Sequence, residues 1–421
     1  MQSIESLIST LSGWVWGPPM LILLVGTGVY LTFLLRGLQF RALGHAFRLI
    51  LEKDHGHEGD ISHFGALMTA LAATVGMATK YAEAVLAQKY RERGDFGMRG
   101  GPMYYLAKGA NLPVLAWLFA LFTALATFGI GNMTQANAVA GIFHSTFSIE
   151  PWMTGVVLTL LTGVVILGGI RSIANFTSFL VPFMILCYVI AAGVVLALNA
   201  SEIPGALSLI FYHAFNPIAA GGGFAGAAVA AAIRYGVARG VFSNESGLGS
   251  APIAAAAART KDPVKQALVS MTQTFIDTLV VCSMTALVIL TATPWTQGVG
   301  AASLTSQSFA ETLGHTGELI VAIATALFAF STILGWSYYG EKAIEYLANS
   351  LGGRGAVRHA IHGYRLVFTS VVVVGAMMQL YFVWNFSDLA NGLMAIPNLI
   401  ALLLLSKVIK QETDRYFNTL K

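Results

Sequence analysis

The sequence predicts an all-α polytopic membrane protein, and two properties of the chain support this prediction. Of the 421 residues, 56% are hydrophobic and only 10% are charged, whereas a soluble domain carries roughly 25% charged residues. A helix that crosses a bilayer needs about 20 mainly apolar residues. Nine runs meet that requirement, at 14–35, 114–143, 152–170, 176–198, 225–258, 266–293, 318–340, 366–384 and 388–406. A water-soluble globular protein is therefore excluded, and residues 1–421 are expected to form a single transmembrane domain.

Basic residues occur in alternate connections between these runs, as at Arg171, from Arg259 to Lys265, and from Lys407 to Arg415. Short basic loops face the cytoplasm. The pattern therefore predicts an N-terminus outside and a C-terminus inside the cell. The net charge of +4 arises from such loops, so no nucleic-acid partner is expected.

A tenth apolar stretch, Ile61 to Ala87, has basic clusters of cytoplasmic type on both sides, with Lys53 before it and Lys80 and Lys89 near its end. One crossing here would invert every later loop. Two crossings would need about 40 apolar residues, and Asp60 and Lys80 enclose only 19 residues of any kind. The stretch is expected to enter the membrane and return, or to lie against the bundle. Non-spanning backbone at membrane depth requires protein or water to satisfy its amides.

The segment SNESGLGSAP, Ser243 to Pro252, lies inside an apolar run but combines two glycines and a proline with four polar side chains. Glycine and serine weaken a helix, and proline removes a backbone donor. A broken helix is therefore predicted. Its ends expose carbonyls for a cation and amides for a carboxylate. A packing kink is the alternative.

Charged residues in apolar runs have a functional and a structural interpretation here. Glu245 is expected to face a cavity or a partner, and pairing with Arg234 and Arg239 explains it equally well. Asp277 shares a helix face with Ser270, Gln273 and Thr274. That face suits a dehydrated monovalent cation, or a hydrogen bond between helices.

Three further polar or aromatic side chains are candidates for a small-solute pocket. Gln135 lies deep in the apolar segment GIGNMTQANA, where an unpaired amide costs several kcal/mol. Thr332 and Trp336 are four residues apart, so they share a helix face. Helix packing is the alternative for Gln135, and a core tryptophan is the alternative for Trp336.

Signatures of enzymes and ATP-driven pumps are missing from the chain. No His-Glu-x-x-His motif, nucleophile elbow or Walker loop occurs in the context that each requires. The loop DHGHEGD, Asp54 to Asp60, is interpreted as a solvated loop. No enzymatic activity and no cofactor are expected.

Several of these segments together closely resemble the alanine or glycine:cation symporter family. They are SNESGLGSAPIAAAAARTKDP, MATKYAEAVLAQKYRERGDFGMRGGPMYYL, GNMTQANAVA, FIDTLVVC and FSTILGWSYYGEKA. The resemblance implies sodium-coupled uptake of alanine or glycine across a cytoplasmic (inner) membrane. It also implies a LeuT-like inverted-repeat bundle with broken helices, the fold of the bacterial leucine transporter. An extra N-terminal helix is expected at 14–35, the first repeat at 61–210 and the second at 220–406.

The residue patterns and the resemblance together give the candidate binding residues. The substrate is expected to contact Gln135, Asn244, Gly247, Gly249, Ser250, Thr332 and Trp336. The cation is expected to contact Thr74, Thr274 and Asp277. The partners are therefore alanine or glycine, a sodium ion and the lipid bilayer.

The chain departs from the family pattern at Gly76 and Met77. About 30 residues, more than one span, are missing there, so the first repeat is expected to be truncated. The missing piece corresponds to the broken helix that pairs with Asn244 to Ser250. Sodium symport is thus the predicted function, and a transport-inactive remnant or a passive channel is the alternative.

Overall fold

The computed structural model describes residues 2–51, 76–215, 240–293, 297, 301–352 and 354–420. Within these ranges the chain is almost entirely helical, apart from the hairpin of strands β1 (Glu92–Gly94) and β2 (Gly97–Arg99). The α-helices are α1 (Gln2–Val15), α2 (Pro18–Leu34), α3 (Leu38–Arg41), α4 (Leu43–Leu51), α5 (Gly76–Lys89), α6 (Pro102–Tyr104), α7 (Pro113–Phe128), α8 (Thr134–Phe147), α9 (Pro151–Leu167), α10 (Gly169–Leu198), α11 (Ile203–Phe215), α12 (Ala251–Ala256), α13 (Pro263–Thr274), α14 (Ser283–Thr291), α15 (Ala301–Leu313), α16 (His315–Leu351), α17 (Arg354–Met377), α18 (Leu380–Leu404) and α19 (Ser406–Thr419). π-helical turns at Tyr105–Gly109, Gly129–Met133 and Phe275–Cys282 and a 3₁₀ turn at Ala200–Glu202 complete the described elements.

Six helical segments in the described ranges are long and apolar enough to cross a membrane. They are Pro113–Phe147, Ser172–Leu198, Pro263–Thr291, His315–Leu351, Gly355–Met377 and Leu380–Leu404. A seventh span is possible if α1 and α2 count as one helix bent by 42°, and α9 is a shorter apolar helix. The protein is therefore a polytopic, mainly helical membrane protein, as the apolar runs predicted. Most of the run 225–258 lies outside the described residues.

The N-terminal helix begins earlier than the run 14–35 suggested. Helix α1 starts at Gln2, and Trp16 and Gly17 separate it from α2. Pro18 and Pro19 can open a helix but lack backbone donors to continue one, so the break falls at this point. Trp16 fixes the bend, because its indole Nε1 donates to the carbonyl oxygen of Asp388 at 2.8 Å.

The last two spans also divide at a different point from the runs 366–384 and 388–406. Helix α17 ends at Met377 and α18 begins at Leu380, although apolar residues continue across the boundary. The Asn137 amide determines this end, since Nδ2 donates to the carbonyls of Gly375 at 3.2 Å and Met378 at 2.7 Å. Hydropathy alone carries no information about such a cap.

Helix α5 is the element that positions the candidate site. Every residue from Met77 to Gln88 is buried, including Lys80 and Glu83. The helix packs against α2, α12, α13 and α19. With 14 residues, it falls short of the roughly 20 that a crossing requires. The rest of the stretch 61–87, up to residue 75, lies outside the described residues.

A buried ionic network joins the β-hairpin to α16. Glu345 is fully buried and accepts from Arg99 Nε at 2.6 Å and from Lys342 Nζ at 2.9 Å. Lys342 Nζ also donates to the carbonyl of Phe96 in the hairpin turn at 2.9 Å. One carboxylate thus contacts two cations and joins the hairpin to the bundle.

Replacement of Glu345 by Gln should destabilise the protein strongly. The isosteric amide leaves Lys342 and Arg99 without a counter-charge, and breaking a buried ion pair costs about 3–5 kcal/mol. Thermal unfolding in detergent, followed by size-exclusion chromatography, measures the loss. Asp414→Asn is the matched control, because its pair with Lys410 is 57% exposed on the Asp414 side and such pairs contribute about 1 kcal/mol or less. Equal unfolding temperatures for the two variants would contradict the expectation.

Candidate functional site

The helix predicted to break at Ser243 to Pro252 is broken. Residues 240–244 are helical, 245–250 are not, and α12 resumes the helix at Ala251. Gly247 and Gly249 adopt φ values of +87° and +84°, in the left-handed region that favours glycine. Gly249 has a second constraint, because a methyl group there would lie 2.7 Å from Phe119. All residues from Asn244 to Ser250 are buried.

The carboxylate of Glu83 satisfies the amides of this break. Glu83 Oε1 accepts from the backbone nitrogens of Gly247 and Gly249, each at 3.1 Å. The same oxygen accepts from Asn398 Nδ2 at 2.6 Å, and Asn398 Nδ2 also donates to the Gly247 carbonyl at 2.9 Å. Glu83 is fully buried, so these bonds replace part of the water that its carboxylate loses, while Oε2 has no hydrogen-bond partner among the described residues.

The side chain of Lys80 contacts the opposite end of the break, where the first helical half ends. Its Nζ donates at 3.2 Å to the carbonyl of Asn244, the last residue of the first helical half. Lys80 is 2% exposed. Burial lowers the pKa of its amine, and the nearby carboxyl groups of Glu245, Glu83 and Asp277 oppose that shift. A cation at a helix C-terminus and an anion at exposed amides both match the helix dipole. One turn of α5 therefore supplies both charges that the broken helix needs.

Glu245 connects the break to α16. Its Oε1 accepts from Trp336 Nε1 at 2.8 Å, and its Oε2 accepts from the Ser250 hydroxyl at 2.7 Å. The break and Trp336, which were predicted separately as site elements, thus meet through this carboxylate. Arg234 and Arg239, the alternative partners of Glu245, lie outside the described residues.

The candidate cation ligands lie next to the first half of the broken helix. Asp277 Oδ2 accepts from the Ser243 hydroxyl at 2.7 Å and from the Thr278 hydroxyl at 3.0 Å. Thr274 is fully buried, and its hydroxyl has no hydrogen-bond partner among the described residues. Asp277 belongs to the π-helical stretch Phe275–Cys282, a feature frequent at functional sites. Thr74 lies outside the described residues.

Gln135 and Thr332 are half-buried, and among the described residues their hydrogen bonds stay within their own helical segments. Gln135 Nε2 donates to the carbonyl of Ile130 at 3.0 Å, and the Thr332 hydroxyl donates to that of Phe328 at 3.0 Å. The segment before Gln135 nevertheless reaches Trp336, since a methyl group on Gly131 would come within 2.2 Å of Trp336 Cβ. The structure therefore brings together the break, Trp336 and the π-helical turn around Gly131.

Sequence reasoning missed Lys80, Glu83 and Asn398. Lys80 was counted as one of several basic residues that mark a cytoplasmic loop, whereas its side chain is buried in the bundle. A usable signal was present, because Lys80 and Glu83 stand three residues apart in a stretch of mostly small and apolar residues. Opposite charges at that spacing lie on one helix face.

Comparisons with known proteins place the whole chain in one family. Residues 1–77 and 72–421 match the model of the sodium:alanine symporter family. The sodium/alanine symporter AgcS of Methanococcus maripaludis is 50% identical, with 98% of this chain and 97% of that protein aligned. A probable sodium/glutamine symporter, GlnT of Bacillus subtilis, is 34% identical, with 97% of this chain and 90% of that protein aligned.

An uncharacterized transporter of Haemophilus influenzae is 46% identical over 452 positions, which cover 100% of this chain and 97% of that protein. Because the chain has 421 residues, at least 31 of the 452 positions have no counterpart in it. The two segments that match the family model meet at residues 72–77. The family is one of transporters and not of enzymes. This chain belongs to the sodium:alanine symporter family.

Proposed function

We propose that this architecture serves sodium-coupled symport of a small neutral amino acid, alanine or glycine, by alternating access. The observation that carries the proposal is the break at 245–250, buried in the bundle and held at both ends by opposite charges on α5. Discontinuous helices of this kind form substrate and ion sites in secondary transporters. The name of the Methanococcus maripaludis relative, a sodium/alanine symporter, supports the choice of solute and ion.

The proposed substrate ligands surround the break and Trp336. They are Gln135, Asn244, Gly247, Gly249, Ser250, Thr332 and Trp336. Glu83 already accepts from the amides of Gly247 and Gly249, so these glycines act chiefly by shaping the backbone. The Asn244 side-chain oxygen accepts from the Ser246 amide at 3.2 Å, which leaves its nitrogen to donate to the substrate carboxylate. The indole of Trp336 limits the space for the substrate side chain.

The proposed sodium ligands are Thr74, Thr274 and Asp277. Hydroxyl and carboxylate oxygens are hard ligands that suit a dehydrated alkali cation. Asp277 supplies the compensating charge, and the unpaired hydroxyl of Thr274 is one helical turn away. Sodium binds here as a co-transported ion, with no cofactor involved.

The proposed fold is the LeuT-like inverted-repeat bundle in a cytoplasmic (inner) membrane, with the N-terminus outside and the C-terminus inside. Residues 14–35 form the extra N-terminal helix, 61–210 the incomplete first repeat and 220–406 the second. The basic residues in alternate connections support this orientation.

A transport-inactive remnant is the second candidate function, and one observation favours it specifically. The family match divides at residues 72–77, and at least 31 positions of the Haemophilus influenzae alignment have no residue here. We infer that the absent segment is the broken helix of the first repeat, which would contribute half of the ligands. A passive channel, which would share the polar interior but not the coupling, is the third candidate.

Uptake of labelled alanine and glycine into proteoliposomes, with and without an inward sodium gradient, separates these candidates. The matched variant carries the segment of the Haemophilus influenzae relative inserted between Gly76 and Met77. Sodium-dependent uptake by the natural chain is the expected outcome for a symporter.

If only the insertion variant takes up the amino acid, the natural chain is a transport-inactive remnant. If both proteins take up the amino acid at a rate that does not depend on the sodium gradient, the protein is a passive channel. If neither protein takes up alanine or glycine while both remain folded, the proposed substrate class is wrong.

Trp336→Ala should admit bulkier amino acids such as valine or leucine in the form that transports. Removing the indole opens space beside the break, and one methylene in an apolar pocket changes selectivity about 10- to 200-fold. Competition by valine against labelled alanine measures the change. Trp336→Phe is the control, because it keeps an aromatic wall and removes only the donor to Glu245. Unaltered competition by Trp336→Ala would exclude a role in size selection.

Glu83→Gln should loosen the break without unfolding the protein. Hydrogen bonds to a charged acceptor contribute about 1 kcal/mol more than neutral ones, so amide exchange at 247 and 249 should accelerate roughly five- to tenfold. Hydrogen–deuterium exchange with mass spectrometry reports this locally and needs no transport. Glu92→Gln, which removes an exposed charge paired with Lys108, should leave these amides unchanged. Exchange in Glu83→Gln equal to that of the natural chain would refute the positioning role.

A further inference from the structure

A basic cavity of about 430 Å³ lies between the end of α2, α3 and the C-terminal helix α19. Arg36, Arg41 and Lys410 line it, against a single carboxylate, Asp414. Its remaining walls include the apolar side chains of Leu35, Leu38 and Phe417. The cavity therefore combines an excess of positive charge with apolar walls, and such a lining suits an amphiphilic anion.

Hydrogen bonds to other helices fix the position of α19, which forms one side of the cavity. Helix α19 is fixed at its start by a hydrogen bond from Tyr30 to Ser406 of 3.2 Å. Near its other end, His45 and Tyr416 are hydrogen-bonded at 2.9 Å. Thr413, which lines the cavity, is bonded to Tyr81 of α5 at 2.8 Å. These three bonds set the width of the opening.

The guanidinium groups of Arg36 and Arg41 are placed so that they can bind an external anion. Arg41 Nη1 donates at 3.3 Å to the backbone carbonyl of Arg36, and both side chains are exposed. Lys410, by contrast, is paired with Asp414 at 2.6 Å. Among the residues that the structure describes, neither Arg36 nor Arg41 is paired with a carboxylate, whereas Asp414 opposes an incoming anion.

Neighbouring aromatic residues place these arginines at the depth of the lipid headgroups. Phe33 and Phe40 are 78% and 66% exposed, so acyl chains are the natural contact for both rings. Arg36 stands between them in the chain, just beyond the apolar helix α2. Long basic side chains at such helix ends extend toward the interface, and basic pockets there bind anionic headgroups.

We propose that this cavity binds the headgroup of an anionic phospholipid of the phosphatidylglycerol type. The phosphodiester lies between Arg36 and Arg41, the glycerol hydroxyls face Lys410 and Asp414, and the acyl chains follow the apolar wall toward Phe33. Because Thr413 connects the cavity to α5, bound lipid stabilises the helix that holds the break.

Native mass spectrometry of the purified full chain tests the site by titration with phosphatidylglycerol, phosphatidylcholine and inorganic phosphate. One phosphatidylglycerol should be retained more tightly than phosphatidylcholine, whose choline cation offsets its phosphate. Arg36→Gln and Arg41→Gln should each weaken that binding about fivefold, the effect of one interfacial cation. Asp414→Asn should strengthen it, since the opposing carboxylate is removed.

Lys407→Gln is the matched control, because Lys407 is exposed on the same helix but does not line the cavity. It should bind phosphatidylglycerol like the natural chain. Equal retention of the two lipids, or arginine variants that match Lys407→Gln, would overturn the proposal. Full competition by inorganic phosphate would show a site for free anions instead. Should an arginine variant fail to fold, unchanged binding by Asp414→Asn overturns it independently.

Discussion

The structure of the site depends on two opposite charges carried by one turn of a buried helix. The Lys80 amine donates to the backbone carbonyl of Asn244, and the Glu83 carboxylate accepts from the backbone amides of Gly247 and Gly249. A helix broken inside an apolar bundle would otherwise leave several backbone groups without water or partners, each at a cost of several kcal/mol. Because both charges come from α5, the two helix ends are held at a fixed separation. The break is therefore a property of two segments, 76–89 and 240–256, and not of the glycine-rich sequence alone.

This arrangement also explains why the other polar contacts cluster around the break. Glu245 leaves the helix at a positive φ of 47°, which aims its carboxylate at Trp336 and Ser250. Asn398 binds both Glu83 and the Gly247 carbonyl, so α18 is linked to the same point. Three helices, α5, α16 and α18, thus converge on six non-helical residues through hydrogen bonds that involve buried carboxylates. Such bonds are stronger than neutral ones, which gives the interior a rigid frame around any solute that enters.

The break could be predicted from sequence because its cause is local. Glycine, proline and serine in Ser243 to Pro252 disfavour a helix whatever surrounds them. The contacts that hold it could not be predicted. Lys80 and Glu83 are recognisable as an opposite-charge pair on one helix face, but they act on residues more than 160 positions away in the chain. Counting Lys80 as a loop charge followed from a rule that uses composition and ignores burial. The end of α17 was misplaced for a similar reason, since the Asn137 cap comes from a distant helix. Long-range contacts, not local propensity, decided each of these points.

The hydrogen bonds around the break can be compared with the point at which the family match divides, residues 72–77. Gly76 begins α5 and packs directly on Ser246, where a methyl group would lie 2.6 Å from the serine Cβ. The groups that hold the break, Lys80, Glu83 and Asn398, all follow that point in the chain. Beyond the break, Gln88 and Arg91 donate to the carbonyls of Ala255 and Ala256, which fixes α12 to the same region. Among the described residues, the hydrogen bonds at the break therefore come from side chains that follow Gly76 in the chain. If the proposed truncation removes ligands of the first repeat, these hydrogen bonds at the break would remain, so the proposed loss of transport would not require loss of the fold around the break.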